Sequence, residues 1–138
     1  MVGMHSTVLI ALLLGTLASA AVEIMDSPMT IGKRFMENFK AAVADRDEAK
    51  ISDLVAKNFI FAECNQERNR DYLVSHLTNL PKTAKYSMTM KNAVGQGGVN
   101  VRMEVSLEGL FGMSDVVFFI SDMDAKWKII FIQEMYCK

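Results

Sequence analysis

The stretch SDVVFFISDMDAKWKIIFIQEMYCK, residues 114–138, decides how this chain folds. Two runs in it, SDVVFFI and WKIIFIQEMY, are dense in β-branched and aromatic residues and read as strands, with SDMDAK as the turn between them. A strand buried on one face alternates apolar and polar residues. These two do not: Val116, Phe118 and Ile120 lie on one face of the first strand, and Val117 and Phe119 lie on the other. Both faces therefore need cover.

Upstream, the alternation is clean. Val99, Val101, Met103, Val105 and Leu107 alternate with polar residues, and before the GQGG turn so do Tyr86, Met88 and Met90. Half-buried antiparallel strands are the expectation for both. GQGGVN joins strand to strand, so it reads as a hairpin and not as a phosphate loop. FIFAEC, Phe59 to Cys64, reads as an earlier strand. Three helices precede or follow it. Ser27 or Asp26 caps the first, with Pro28 in its first turn and a stripe of Ile31, Phe35, Phe39 and Val43. Asp47 caps a short second helix carrying Ile51, Leu54 and Val55. Asn69 caps a third with Leu73, Leu77 and Leu80, which Pro81 stops. Three helices cover one sheet face. A second copy of the chain, packed sheet to sheet as a homodimer, is the expected cover for the other.

The first residues address the compartment. Thr7 to Leu17 is an apolar run too short to span a bilayer, and Ala18-Ser19-Ala20 is an A-x-A cleavage pattern. A signal peptide over residues 1–20, a cut before Ala21 and a single secreted domain over 21–138 follow as expectations. No membrane association is expected after cleavage. Fifteen Lys and Arg against 16 Asp and Glu, interleaved, make no case for nucleic acid. In a secreted chain the two cysteines, Cys64 and Cys137, imply a disulfide, within one chain or between two.

The order helix, helix, strand, helix, antiparallel meander, together with DAKWKIIF, resembles the nuclear-transport-factor-2-like superfamily, which includes SnoaL-like and ketosteroid isomerase proteins. Many members join their last two strands by a D-G-K-W-type turn. Here Asp124-Ala125-Lys126-Trp127 matches, with alanine for the glycine. The resemblance covers Pro28 to the end and is to the secreted single-domain members. It implies an α+β fold, with three N-terminal helices packed on a curved, mainly antiparallel sheet that forms a cone around a cavity. It also implies that the strand ending at Cys64 lies parallel to the strand ending at Cys137, which would place an intrachain bridge at one end of the sheet.

Chemistry is harder to find. In isomerases of this fold a carboxylate base works with a Tyr and a protonated Asp. The resemblance puts the base near Glu63, the Tyr at Phe35 or Phe39, and the Asp near Val117, so the hydrogen-bond donors are missing. His76, at the border of the third helix's apolar face, is a second candidate base. Glu134 is a third, if desolvated in the cavity. One histidine after the expected cut argues against zinc, and no cofactor or metal is expected. Met88, Met90, Met103 and Met135, with Tyr86, Phe118 and Phe131, would line an adaptable apolar cavity. The expected function is a secreted, non-enzymatic domain that binds a small apolar ligand or a protein partner. An isomerase, dehydratase or hydrolase using Glu63, His76 or Glu134 is the second reading, and an association module with a filled core is the third.

Overall fold

The computed structural model describes residues 26–137. The expected signal peptide and its cut before Ala21 lie outside the described residues. Helix α1 (Pro28–Ala44) starts as its sequence demands: Ser27 Oγ accepts the Thr30 N–H at 3.2 Å, and Pro28 fills the first turn. The Asp47 side chain caps α2 (Glu48–Asp53) through the Lys50 N–H, and the Asn69 side chain caps α3 (Arg70–Thr78) through the Tyr72 N–H. Strand β1 (Val55–Ala62) begins four residues before the predicted Phe59 and takes Val55 from the second helix. A three-residue strand, β2 (Glu67–Asn69), pairs antiparallel with it. The meander is β3 (Ser87–Gln96), β4 (Asn100–Glu108), β5 (Asp115–Met123) and β6 (Lys126–Glu134).

The six strands form one mixed sheet in the order β2-β1-β6-β5-β4-β3, with β1 and β6 parallel and every other pair antiparallel. The α+β class is as expected. All three helices contact the sheet or one another on its inner face, where Phe39, Phe61, Leu77, Met103, Leu107, Phe118, Ile120 and Ile132 are fully buried.

Two details fix how closely the layers approach. A Cβ on Gly32 of α1 would stand 2.7 Å from the Met90 Sδ and 3.2 Å from the Ala93 Cβ, so the helix rests against β3 and β4 through a residue with no side chain. The Arg46 guanidinium then ties the end of α1 to the segment after α3, donating to Val43 O at 2.6 Å and to Leu80 O and Pro81 O, both at 2.9 Å.

The β5–β6 turn shows what the departure from D-G-K-W costs. Asp124 and Ala125 have φ of 56° and 63°, the left-handed pair that a two-residue hairpin requires. Alanine at such a position costs about 1 kcal/mol relative to glycine. Ala125→Gly is therefore expected to stabilise the domain by about that amount. Urea denaturation would check the sign.

Candidate functional site

The predicted lining residues do not share one face. Met88, Met103 and Phe118 point inward and are closed into the core, at 4%, 0% and 1% exposure. Phe118 meets Phe39 edge to face with ring centroids 5.8 Å apart. Met90 and Tyr86 are half-buried at the margin of that core, with Arg46 stacked over the Tyr86 ring. Met135 lies beyond the end of β6, where its N–H donates to Asp115 O.

Phe131 is a correction. It pairs with Phe119 and Ile60, and its ring lies 5.6 Å from that of Phe119, on the outer face of the sheet. The cause is a bulge. β5 advances one residue, Phe119 to Ile120, while β6 retreats two, Phe131 to Ile129, so Ile130 is an extra residue and the alternation changes parity there.

The loop between β4 and β5 closes the inner face near α3. Leu110 is 5% exposed, and Phe111 packs between His76 and Phe61, with centroids at 4.7 Å and 5.1 Å. The His76 Nε2 is 2.6 Å from Leu110 O and donates to it in the Nε2–H tautomer. Tyr72 stacks on the other side of the imidazole, and Arg68 stacks on Tyr72. His76 is thus held in a column of rings with a backbone carbonyl as its polar partner.

The two carboxylate candidates have other partners. Glu63, just after β1, accepts from Gln66 Nε2 at 2.8 Å and lies 3.6 Å from Arg68 Nε. Glu134 occupies an inner-face register opposite Val116, but its Oε2 turns to the sheet end and accepts the Cys64 N–H at 2.7 Å. Phe35 and Phe39 stack on each other in the core. Val117 pairs with Glu104 and Gln133 on the outer face, and its inward neighbours Val116 and Phe118 are equally apolar. No donor stands at either oxyanion position that the resemblance implied. Cys64 and Cys137 are bonded to each other within the chain, with Cα atoms 5.3 Å apart, as the parallel β1–β6 placement implied.

The outer face carries the signal that the sequence showed at Val117 and Phe119. Phe119, Phe131 and Ile130 are half-buried there, Ile60 is 38% exposed, and on β3 Val94 is 41% exposed. Two of the cations beside it are paired within the chain: Arg102 with Glu104 at 3.1 Å and Lys91 with Asp115 at 2.9 Å. The Asp115 partnership holds the Lys91 pKa above its ordinary value.

Helices segregated to one face of a mixed, mainly antiparallel sheet define a cystatin-like α+β domain. A family model for the NTF2-like domain matches residues 29–138, and the chain belongs to that family. Among solved structures it is similar to an NTF2-like protein from Cytophaga hutchinsonii, with 9% identity over 78% of this chain and 97% of that one, at a TM-score of 0.62. It is also similar to a putative ketosteroid isomerase from Shewanella frigidimarina, with 17% identity over 72% of this chain and 90% of that one, at 0.51. A de novo designed protein with a curved β-sheet matches at 14% identity over 75% and 97%, with a TM-score of 0.55. At such identities the likeness is one of fold. No curated protein matches the chain in sequence.

Proposed function

We propose that this is a secreted, disulfide-stapled NTF2-like domain without enzymatic activity, which works by association and forms a homodimer through the outer face of its sheet. The observation that carries the reading is the contrast between the two faces. Inside, Met88, Met103 and Phe118 are closed into the core, with Met90 and Tyr86 packed against it. Outside, Phe119, Phe131, Ile130 and Ile60 form a contiguous apolar patch.

A second copy suits that patch for two reasons. A two-fold axis brings each residue near its own equivalent, so an uncompensated charge would meet a like charge. Here Arg102 and Lys91, beside the patch on β4 and β3, are already paired within the chain, and Lys57 and Lys128, unpaired among the described residues, lie toward the β5–β6 turn. Strands of nine residues are about 30 Å long, and four of them span about 19 Å across, a footprint of roughly 570 Å² that lies near the ~600 Å² per partner at the lower end of stable interfaces. Secretion is supported by the A-x-A pattern and the disulfide. No helix among the described residues is long and apolar enough to cross a membrane. Absence of catalysis is supported by the structural bonds that occupy Glu63, His76 and Glu134.

Sedimentation analysis of the secreted protein at micromolar concentration tests this. The wild type is expected to be a dimer, and Phe119→Lys with Phe131→Lys to be a folded monomer. A wild-type monomer at that concentration would overturn the reading.

A further inference from the structure

A second feature of the outer face lies at the opposite end of the sheet from the disulfide. Between Val55 and Ile60, β1 advances five residues while its partner β6 advances two, Ile129 to Phe131. The Ile129 N–H donates to Leu54 O at 2.8 Å, which pins the near end of the gap, so the surplus residues of β1 must bow away. Ile130 is also the extra residue in the β5–β6 ladder. Irregularities on both sides of β6 coincide, and a cleft of about 540 Å³ opens where they meet. That volume is within the usual range of small-molecule sites, about 300–1,000 Å³. Bulges commonly re-aim side chains next to such sites.

The cleft has an apolar floor and a basic rim. Ala56, buried at 4%, and Ile130 form the floor, and Met123 of the β5–β6 hairpin adds a flexible wall. Lys57, Lys126 and Lys128 stand around it with one carboxylate, Asp124. Lys126 is bound to Asp53 of α2. Among the described residues no carboxylate lies within ion-pair distance of Lys57 or Lys128. Two ammonium groups without a partner therefore face one concave, partly apolar surface.

We infer that this cleft binds a soluble amphiphilic anion, a carboxylate or similar headgroup on an alkyl chain, with the head between Lys57 and Lys128 and the chain along Ile130, Ala56 and Met123. The chemistry fits each part. An ammonium pair gains charge-assisted hydrogen bonds from an anionic head, and the thioether and aliphatic floor gains buried area from a tail. A cation of the same length would meet the lysines unfavourably. A neutral head would leave them as they are. Ile130 belongs to both the patch and the cleft, so the titration is read on the wild type and on the Phe119→Lys/Phe131→Lys variant, and binding by the monomeric variant separates the two readings.

The test is a titration of the isotope-labelled protein with laurate below its micelle concentration, followed by amide chemical shifts. Dodecyltrimethylammonium and dodecyl maltoside serve as equal-chain controls. Laurate is expected to shift the amides of Ala56, Lys57, Lys128 and Ile130 in a saturable manner, and the cationic control to leave them in place. The K57E/K128E variant is expected to weaken laurate binding about tenfold or more, and K57Q/K128Q to weaken it in the same direction without reversing charge. Retention of the remaining amide spectrum shows that both variants fold. Shifts centred on Met88 and Met103 instead of the cleft would overturn the assignment. So would full affinity in both variants, or equal binding of the cation. Co-sedimentation with phosphatidylglycerol vesicles separates the sources: protein that stays in solution supports a free amphiphile, and protein that pellets through the same lysines overturns it.

Discussion

Replacing Phe118 by alanine is expected to destabilise the domain by about 3–5 kcal/mol, read as a lower urea midpoint at unchanged slope. Phe118 stands at the centre of β5, is 1% exposed, and meets Phe39 of α1 edge to face at 5.8 Å. Its neighbours on the inner face, Val116, Ile120, Met103 and Ile132, are all fully buried, so little can collapse into the space it leaves. The size of the loss is what decides between a filled interior and an open one. A ring lining an open pocket loses only part of its contacts on truncation, and a loss near 1 kcal/mol would show that the wild-type interior already has room. A filled interior predicts the large loss. It also predicts a new cavity that takes up benzene in the variant and not in the wild type.

Much of this fold was legible in the sequence because the deciding residues act locally. Ser27, Asp47 and Asn69 cap helices at the expected positions, since each satisfies a backbone N–H three residues on. The alternation in β4 survives unchanged from Val101 to Leu107. The cysteine pairing followed once β1 and β6 were placed side by side. What was not legible is non-local. Glu67-Arg68-Asn69 has no apolar residue and becomes a strand only because β1 offers it an edge. A period of two leaves open which face of the last strand turns inward, and nothing in KIIFIQ marks the extra residue at Ile130 that puts Phe131 outside.

The candidate site divides the same way. The apolar second face of β5 was visible at Val117 and Phe119, and the structure extends it to Phe131 and Ile60 by cross-strand pairing. Lys126-x-Lys128, two cations on one face of a strand, was a signal available in DAKWK. Its meaning depended on Lys57, which the register break in β1 brings alongside. The partners of His76 could not be anticipated either, because Leu110 and Phe111 lie 34 and 35 positions further along the chain.

Removing the disulfide with the Cys64→Ala/Cys137→Ala double variant is expected to cost about 4 kcal/mol, from the entropy released to the unfolded chain when a cross-link spanning 73 positions is lost. For a domain of this size that loss lowers the melting temperature on the order of 15–20 °C. The double variant is the right one, since a single substitution leaves a thiol able to join two chains. The location of the bridge adds a local prediction. β1 and β6 are the one parallel pair in the sheet, and their ladder is interrupted between Val55 and Ile60. Below the break they are held by the bond from the Ile129 N–H to Leu54 O. Above it they are held by Ile60, Phe61 and Ala62 against Phe131, Ile132 and Gln133, then by the Cys64 N–H to Glu134, and last by the bridge itself. Without the bridge, that upper segment is free to part. Amide hydrogen exchange should therefore accelerate in β1, in β2 and at the end of β6, while β3 and β4 change only by the global loss. Uniform acceleration across all six strands would show that the bridge acts on the unfolded chain alone. Acceleration in β1, β2 and β6 beyond that of β3 and β4 would show that it also clamps the joint between the parallel pair and the antiparallel meander.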